Sequence, residues 1–450
     1  MADKTTTICA IATPPGRGGI GIIRISGPEA RRIAKEISGR DPVPRQAVYC
    51  SFKDQDNNII DNGILLFFNT PASYTGEDVI ELQGHGGQVV LNMLRNHVIS
   101  LGAVHARPGE FTERAFLNHK LDLVQAEAVV DLIDSVSEQA ARCANRSLLG
   151  EFSARIADLL GALIDLRVYV EGALDFPEDE LDFIEDNDVR VRAGACLQTV
   201  DNILIRARHG KILNEGVQAV IIGRPNVGKS SLLNRLSGTD RAIVTEIPGT
   251  TRDIIEDRIL IKGISVTVAD TAGIRETEDR IEIEGINRAI AEAENADIVL
   301  IVMEYDGDAR DLAYLMLKLK RSVKILVIKN KIDLSHDMPK ITTDANGIPH
   351  IHLSAKTGAG LDMLEDLILK SVIQESSEEN AILARERHLT ALHQAQQHLR
   401  SGIAALDQGR SPELLAAELQ QAQNSLAQIT GEFVADDLLG EIFSRFCIGK

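Results

Sequence analysis

Gly223-Arg224-Pro225-Asn226-Val227-Gly228-Lys229-Ser230 stands in mid-chain, between the strand-like run Val217–Gly223 and a helical run, and that context makes it a phosphate-binding loop. Its glycines let backbone N–H groups turn inward around phosphate oxygens, at the start of a helix whose dipole favours negative charge. In this loop Val227, Gly228 and Ser231 flank the phosphates. Lys229 reaches the β- and γ-phosphates and counts as a catalytic candidate, and Ser230 offers a hydroxyl to Mg²⁺.

The base and the γ-phosphate are read from three further stretches. Asn330-Lys331-Ile332-Asp333 closes the strand-like run Val323–Lys329, where the Asp333 carboxylate can accept hydrogen bonds from the two N–H donors of a guanine edge. Adenine lacks that donor pair, so the nucleotide is GTP. Ser354-Ala355-Lys356 ends the next run, His350–Leu353, where a backbone N–H can meet the guanine O6. Asp270-Thr271-Ala272-Gly273 ends the apolar run Ser265–Ala269, so Asp270 can hold Mg²⁺ through water and the Gly273 N–H can sense the γ-phosphate. Between the helix after the phosphate loop and Asp270–Gly273 lies Thr245-Glu246-Ile247-Pro248-Gly249-Thr250-Thr251-Arg252-Asp253, a loop of the kind that closes over the metal, with Thr251 the candidate Mg²⁺ ligand. The residue after Gly273 is Ile274, where a small GTPase has a water-orienting glutamine. Another group must orient the nucleophile, and Glu276, Glu278, Asp279, Glu282 and Glu284 are all within reach of that task.

At 450 residues two or three domains are expected. Aromatic content of 4% without tryptophan points to helix-rich aliphatic packing. A net charge of −18 argues against a general nucleic-acid coat, which relies on surplus Lys and Arg, while leaving room for a local basic patch. Five cysteines, Cys9, Cys50, Cys143, Cys196 and Cys447, form no CxxC pair, against a zinc site or disulfide framework and in keeping with a reducing cytoplasm. No run is apolar for the ~20 residues of a membrane span, and no export signal is expected.

Strand-like runs Ile8–Ala12, Ile20–Ile25, Tyr49–Phe52, Ile64–Phe68 and Val79–Leu82, with a helix at Glu29–Ser38, make residues 1–118 an α+β domain. From Leu121 the apolar period becomes helical through Val170; another helix runs from Val189 to about Leu213. Residues 119–215 and 374–450 read as two parts of one helical domain, the second with helices Ala381–Leu406, Pro412–Ile429 and Asp436–Phe446. The GTPase, 216–373, is expected as a doubly wound parallel sheet inserted between them. Insertion suits coupling, since movement would pass to the helices through two linkers.

Further stretches give the chain a resemblance along its whole length. They are Ala12-Thr13-Pro14-Pro15-Gly16-Arg17-Gly18-Gly19 with Arg24, Tyr74-Thr75-Gly76-Glu77-Asp78, Glu81-Leu82-Gln83-Gly84-His85-Gly86-Gly87, Arg107-Pro108-Gly109-Glu110-Phe111-Thr112-Glu113-Arg114-Ala115-Phe116-Leu117-Asn118 and Phe446-Cys447-Ile448-Gly449-Lys450. With the GTPase motifs, these resemble the tRNA modification GTPase family MnmE, also called TrmE. The resemblance implies a cytoplasmic homodimer, with an N-terminal dimerisation domain. It also implies work with the FAD-dependent protein MnmG, in a heterotetramer, on C5 of the wobble uridine (U34) of certain tRNAs. The methylene carbon of the aminomethyl or carboxymethylaminomethyl group would come from 5-formyl- or 5,10-methylene-tetrahydrofolate, bound at the positions of Arg24, Glu81, Lys120 and Lys450. A cation there suits the folate glutamate tail and Glu81 suits pterin N–H donors. Cys447 becomes a catalytic candidate. For the GTPase the resemblance implies activation by K⁺, held at Asn226, Thr245, Ile247 and Thr250, and by pairing of two G domains, with Glu282 orienting water through a second water.

A GTP-dependent assembly factor would share the phosphate loop, Asp270–Gly273 and Asn330–Asp333 but would not need the N-terminal stretches or the terminal Cys-Ile-Gly-Lys. A folate-dependent methyltransferase acting alone with GTP as regulator is the other rival. Gly16–Gly21 is glycine-rich without the strand-turn-helix spacing of a dinucleotide site, so redox chemistry would come from a partner. A prenylation box at Cys447 is disfavoured by Gly449 and Lys450.

Overall fold

In a computed structural model of the chain the described residues are 6–175, 187–238, 256–269, 296–307, 323–335, 337–372, 381–408, 412–432 and 436–444, with Ala293, Leu312, Met316, Phe446 and Gly449. The chain forms two compact units, Met1–Val130 with Ser147–Cys196 and Gln394–Lys450, and Asp131–Arg146 with Leu197–His393.

In the first unit, strands β1 (Ile8–Ile11), β2 (Gly18–Ser26), β3 (Val48–Lys53), β4 (Ile59–Phe68), β5 (Val79–Gly86) and β6 (Val104–His105) make one sheet in the order β3-β4-β5-β2-β1-β6. The pairs are antiparallel except β1 with β6. Helix α1 (Ala30–Ser38) places Ala30, Ile33, Ala34 and Ile37 on one stripe and stops at Gly39, whose φ of 67° is a left-handed cap. With Leu91, Leu94 and Val98 of α2 (Gln88–Ser100) it covers Ile23, Ile25, Leu65, Phe67, Ile80 and Leu82. Strand alternation turns Arg24 and Glu81 to the opposite face. Part of that face is closed by Ile8, Ala10, Ala106 and Phe111, the last from α3 (Glu110–Leu117). Tyr49 and Ile64 remain exposed.

The period-3.6 stretch after Leu121 is three helices rather than one: α4 (Leu123–Ile133), α5 (Glu138–Leu148) and α6 (Glu151–Asp175). The second break is at Gly150, whose φ of 88° a continuing helix cannot hold. Helix α7 (Asn187–Glu215) precedes the second sheet.

That sheet comprises β7 (Val217–Ile222), β8 (Glu256–Ile261), β9 (Ile264–Ala269), β10 (Ile298–Glu304), β11 (Lys324–Asn330), β12 (Lys340–Thr343) and β13 (Pro349–His352), ordered β12-β13-β11-β10-β7-β9-β8. Five central strands are parallel; β8 and β12 add antiparallel edges, so the sheet is doubly wound but not purely parallel. From β7 the order runs to β9 on one side and to β10, β11 and β13 on the other. This is the reversal at which such sheets open a crevice beyond their carboxyl ends. Helices α8 (Lys229–Ser237) and α9 (Leu361–Val372) belong to this unit.

The final helices are α10 (Glu386–Asp407), α11 (Pro412–Thr430) and α12 (Asp436–Ser444). The helix expected from Ala381 begins five residues late. Ala381–Ala384 are buried, and the Ile382 N–H donates to Arg206 O at 3.2 Å while its carbonyl lies where a Cβ on Gly210 would have to stand. Docking onto α7 therefore replaces the segment's own helical bonds. Within the first unit α6 packs along α11, with Arg167 Nη1 donating to Gln423 Oε1 at 2.6 Å. Among the described residues no helix is long and apolar enough to cross a membrane.

Candidate functional site

The phosphate loop leaves β7 at Gly223, where a Cβ would stand 2.2 Å from Val302 O of β10, so only glycine fits. Asn226 has φ 64° and Gly228 has φ 98°, two left-handed residues that wind the chain round before α8 begins. Lys229 Nζ donates to Gly223 O at 2.6 Å and Arg224 O at 2.8 Å, which draws the ammonium back over the loop's own mouth. Asn226, Ser230 and Ser231 are exposed and Val227 is buried. These hard oxygen donors suit Mg²⁺ or K⁺ completed by phosphate and water.

Asn330, at the end of β11 and 2% exposed, ties this loop to the base loops. Its Nδ2 donates to Val227 O at 2.8 Å, and its Oδ1 accepts the Ala355 N–H at 2.9 Å. A Cβ on Gly228 would stand 2.3 Å from the same Nδ2, so the loop glycine also makes room for this bridge. Lys331 has φ 69° and caps a 3₁₀ turn, Ile332–Leu334, that presents Asp333. Ser354 Oγ donates to Asp333 Oδ1 at 2.6 Å and holds that carboxyl below its ordinary range; the ammonium groups of Lys356 and Lys331 add to this. Lys331 Nζ is 2.5 Å from Glu304 Oε1. The structure thus brings together Asn226–Ser231, Asn330–Asp333 and Ser354–Lys356. Thr245, Glu246, Ile247, Pro248, Gly249, Thr250, Thr251, Asp270, Thr271, Ala272, Gly273 and Glu282 lie outside the described residues.

In the first unit the register opposes Arg24 to Glu81, and Arg24 Nη2 and Nε donate to Glu81 Oε1 at 2.9 and 3.1 Å. Arg24 and Glu81, both expected at the folate site, thus stand as an ion pair. Arg24 Nη1 donates to Gly449 O at 3.3 Å, and its guanidinium lies 5.7 Å from the Tyr74 ring centre and 5.8 Å from that of Phe111. Gly449, at φ 99°, sits where a Cβ would be 2.6 Å from Ile11 O, so its own backbone lies close against the end of β1. Cys447 and Lys450 lie outside the described residues. Lys120 is exposed, with Nζ 3.0 Å from Pro71 O. Cys9, Cys50, Cys143 and Cys196 are buried, and burial pushes the Cys9 thiol up to about 11, so it is a poor nucleophile.

Beneath this face is a buried group that sequence reading passed over. Arg114, 2% exposed, donates to Thr6 O at 2.8 Å, Glu77 Oε2 at 3.0 Å and Glu110 Oε1 at 3.0 Å. Asn118 Nδ2 donates to Thr75 O at 2.8 Å and Tyr74 shares a 2.9 Å hydroxyl bond with Thr112. The loop bearing Tyr74 is thereby fixed to α3.

Residues 123–447 match the family profile for the MnmE helical domain, and residues 7–120 match that for the GTP-binding protein TrmE N-terminus. A tRNA modification GTPase MnmE of Pasteurella multocida is 49% identical over 99% of both chains. One of Nitrosomonas eutropha is 51% identical over 99% of both. The chain belongs to the MnmE family of tRNA modification GTPases. Membership, with the loops just described, makes it an enzyme that binds and hydrolyses GTP. A crystal structure of an Era variant from Aquifex aeolicus, bound to GDP.AlF4-, matches 40% of this chain and 66% of that one, at 27% identity and a TM-score of 0.27.

Proposed function

We propose that this chain acts in the cytoplasm as a homodimer that joins the FAD-dependent MnmG in a heterotetramer. The complex places an aminomethyl-type group, including carboxymethylaminomethyl, on C5 of the wobble uridine of certain tRNAs. The observation that carries this reading is one chain holding two built sites, guanine loops locked by Asn330 and an Arg24–Glu81 pair closed by the penultimate residue of the tail.

At the first site, Asp333 and the Ser354–Lys356 loop bind the guanine edge, Val227–Ser231 the phosphates, and Lys229 leaves its two carbonyls for the β- and γ-oxygens. Ser230 and Thr251 hold Mg²⁺, which neutralises charge that develops on the phosphoryl oxygens. Asp270 and Gly273 complete the γ-phosphate side. Asn226, Thr245, Ile247 and Thr250 hold K⁺, which fits the exposed, left-handed Asn226. Glu282 orients the attacking water in place of a glutamine at Ile274. Residues 216–373 act as the inserted GTPase and the flanking helices as its coupling frame.

At the second site, Glu81 faces the pterin. Arg24 holds one oxygen, and the other, 3.2 Å from Gln83 Nε2, keeps accepting capacity for ring N–H donors. Lys120 and Lys450 take the acidic tail, and the tetrahydrofolate supplies the carbon of the new methylene. Cys447 is the catalytic thiol candidate. The exposed Tyr49 and Ile64 on the open sheet face suit a contact between two N-terminal domains. Mass spectrometry of tRNA nucleosides from a strain lacking this chain tests the reading: loss of the C5-modified wobble uridine is expected, and an unchanged nucleoside profile would overturn it.

A further inference from the structure

Glu304 is the last residue of β10 and stands directly across the parallel ladder from Asn330 of β11. Its carboxylate reaches past Asn330 to the next residue, where Oε1 accepts from Lys331 Nζ at 2.5 Å. The Gly307 N–H folds back on Glu304 O at 3.0 Å, so a turn holds the backbone that carries the carboxylate. The Lys331 backbone is fixed too, at φ 69°, as the cap of the turn that bears Asp333. Only the lysine side chain, with its four-carbon stem, is free to choose among positions.

Two of those positions matter to a base. If the ammonium swings to Asp333, two residues on, it competes for the carboxylate that guanine N–H donors need. If it is drawn the other way the stem lies extended and apolar, a flank for the purine. We propose that Glu304 is a positioning residue for guanine nucleotide, acting through Lys331: it holds the ammonium away from Asp333 and so keeps that carboxylate available to the base. The inference rests on the guanine-site reading of Asn330, Lys331 and Asp333.

The two side chains are 44% and 31% exposed, so the pair is a modest one, and its loss should raise the GDP dissociation rate about two- to fivefold. The experiment measures dissociation of a fluorescent GDP analogue from the full chain in four forms: wild type, Glu304→Ala, Lys331→Ala and both together. Glu304→Ala is expected to speed release in the native background and to add nothing once Lys331 is gone, a coupling that a purely structural role would not produce. Glu304→Asp, which keeps the charge, is expected to recover most of the loss, with the nucleotide-free unfolding midpoint unchanged in all forms. Unchanged release from Glu304→Ala, or an equal effect in both backgrounds, would overturn the proposal. Asp333→Asn separates the two layers. If it weakens GDP binding while Glu304→Ala does not, Glu304 alone loses its role; if it leaves GDP binding untouched, the base lies elsewhere and both readings fall.

Discussion

Asn330→Ala tests the bridge between the phosphate loop and the base loops. The side chain is buried and makes two bonds of 2.8 and 2.9 Å, so its removal strands the Val227 carbonyl and the Ala355 N–H. Each unsatisfied buried group costs about 1–3 kcal/mol. Water entering the vacated space would recover part of that, leaving about 2–4 kcal/mol of lost loop preorganisation. Nucleotide binding must restore it, so GDP affinity should fall about 30- to 700-fold, at roughly 1.4 kcal/mol per decade. Asn330→Asp should fare no better, because a carboxylate oxygen would replace the donor facing the Val227 carbonyl. The assay is equilibrium titration of a fluorescent GDP analogue, with circular dichroism to establish that the fold persists. GDP affinity within twofold of wild type in a folded variant would refute the argument, since the loops would then be held without the bridge.

Hydrolysis of GTP should be much faster in K⁺ than in Na⁺ at equal ionic strength, and Asn226→Ala should erase the difference while leaving binding largely intact; equal rates in the two salts would remove the ion site. Glu282→Ala should lower single-turnover kcat by roughly 10²-fold or more with little change in GTP affinity. Glu276→Ala, Glu278→Ala and Glu284→Ala should not, and four similar rates would leave the water-orienting group elsewhere. Because Ser354 holds the Asp333 carboxyl below its ordinary value, the charged, base-accepting form persists to unusually low pH and is lost as pH falls through that lowered value. Ser354→Ala should therefore move the acid limb of GDP binding upward, towards the ordinary carboxylate range; a limb at the same pH would assign it to another group.

Much of the fold was legible because its signals are local. Glycine at 223 and 228, the apolar run before them and the stripe in α1 each declare an element within a few residues. The helix breaks at Gly150 and Ala381 were not, since one depends on a single backbone angle and the other on a bond to Arg206 far upstream. Strand β12 is exposed at all four positions and so offers no alternation to read. At the sites, Arg24 and Glu81 were found singly but not as a pair, because only strand register reveals that they face each other. Arg114 was passed over because two of its partners, Thr6 and Glu77, are distant in sequence. Glu304 carried a usable signal, a charge ending the apolar run Ile298–Met303 at the reversal of a doubly wound sheet.

GTP hydrolysis and one-carbon transfer are proposed to be coupled in this chain, and an isotope tests that coupling. The purified chain, the FAD-dependent partner, substrate tRNA, GTP and a nitrogen donor are combined with tetrahydrofolate whose one-carbon unit is carbon-13, and the wobble nucleoside is weighed by mass spectrometry. The predicted result is a C5-modified uridine heavier by the single labelled carbon, formed only when GTP is hydrolysed. A modified uridine without the label, or one formed equally well without GTP, would contradict it.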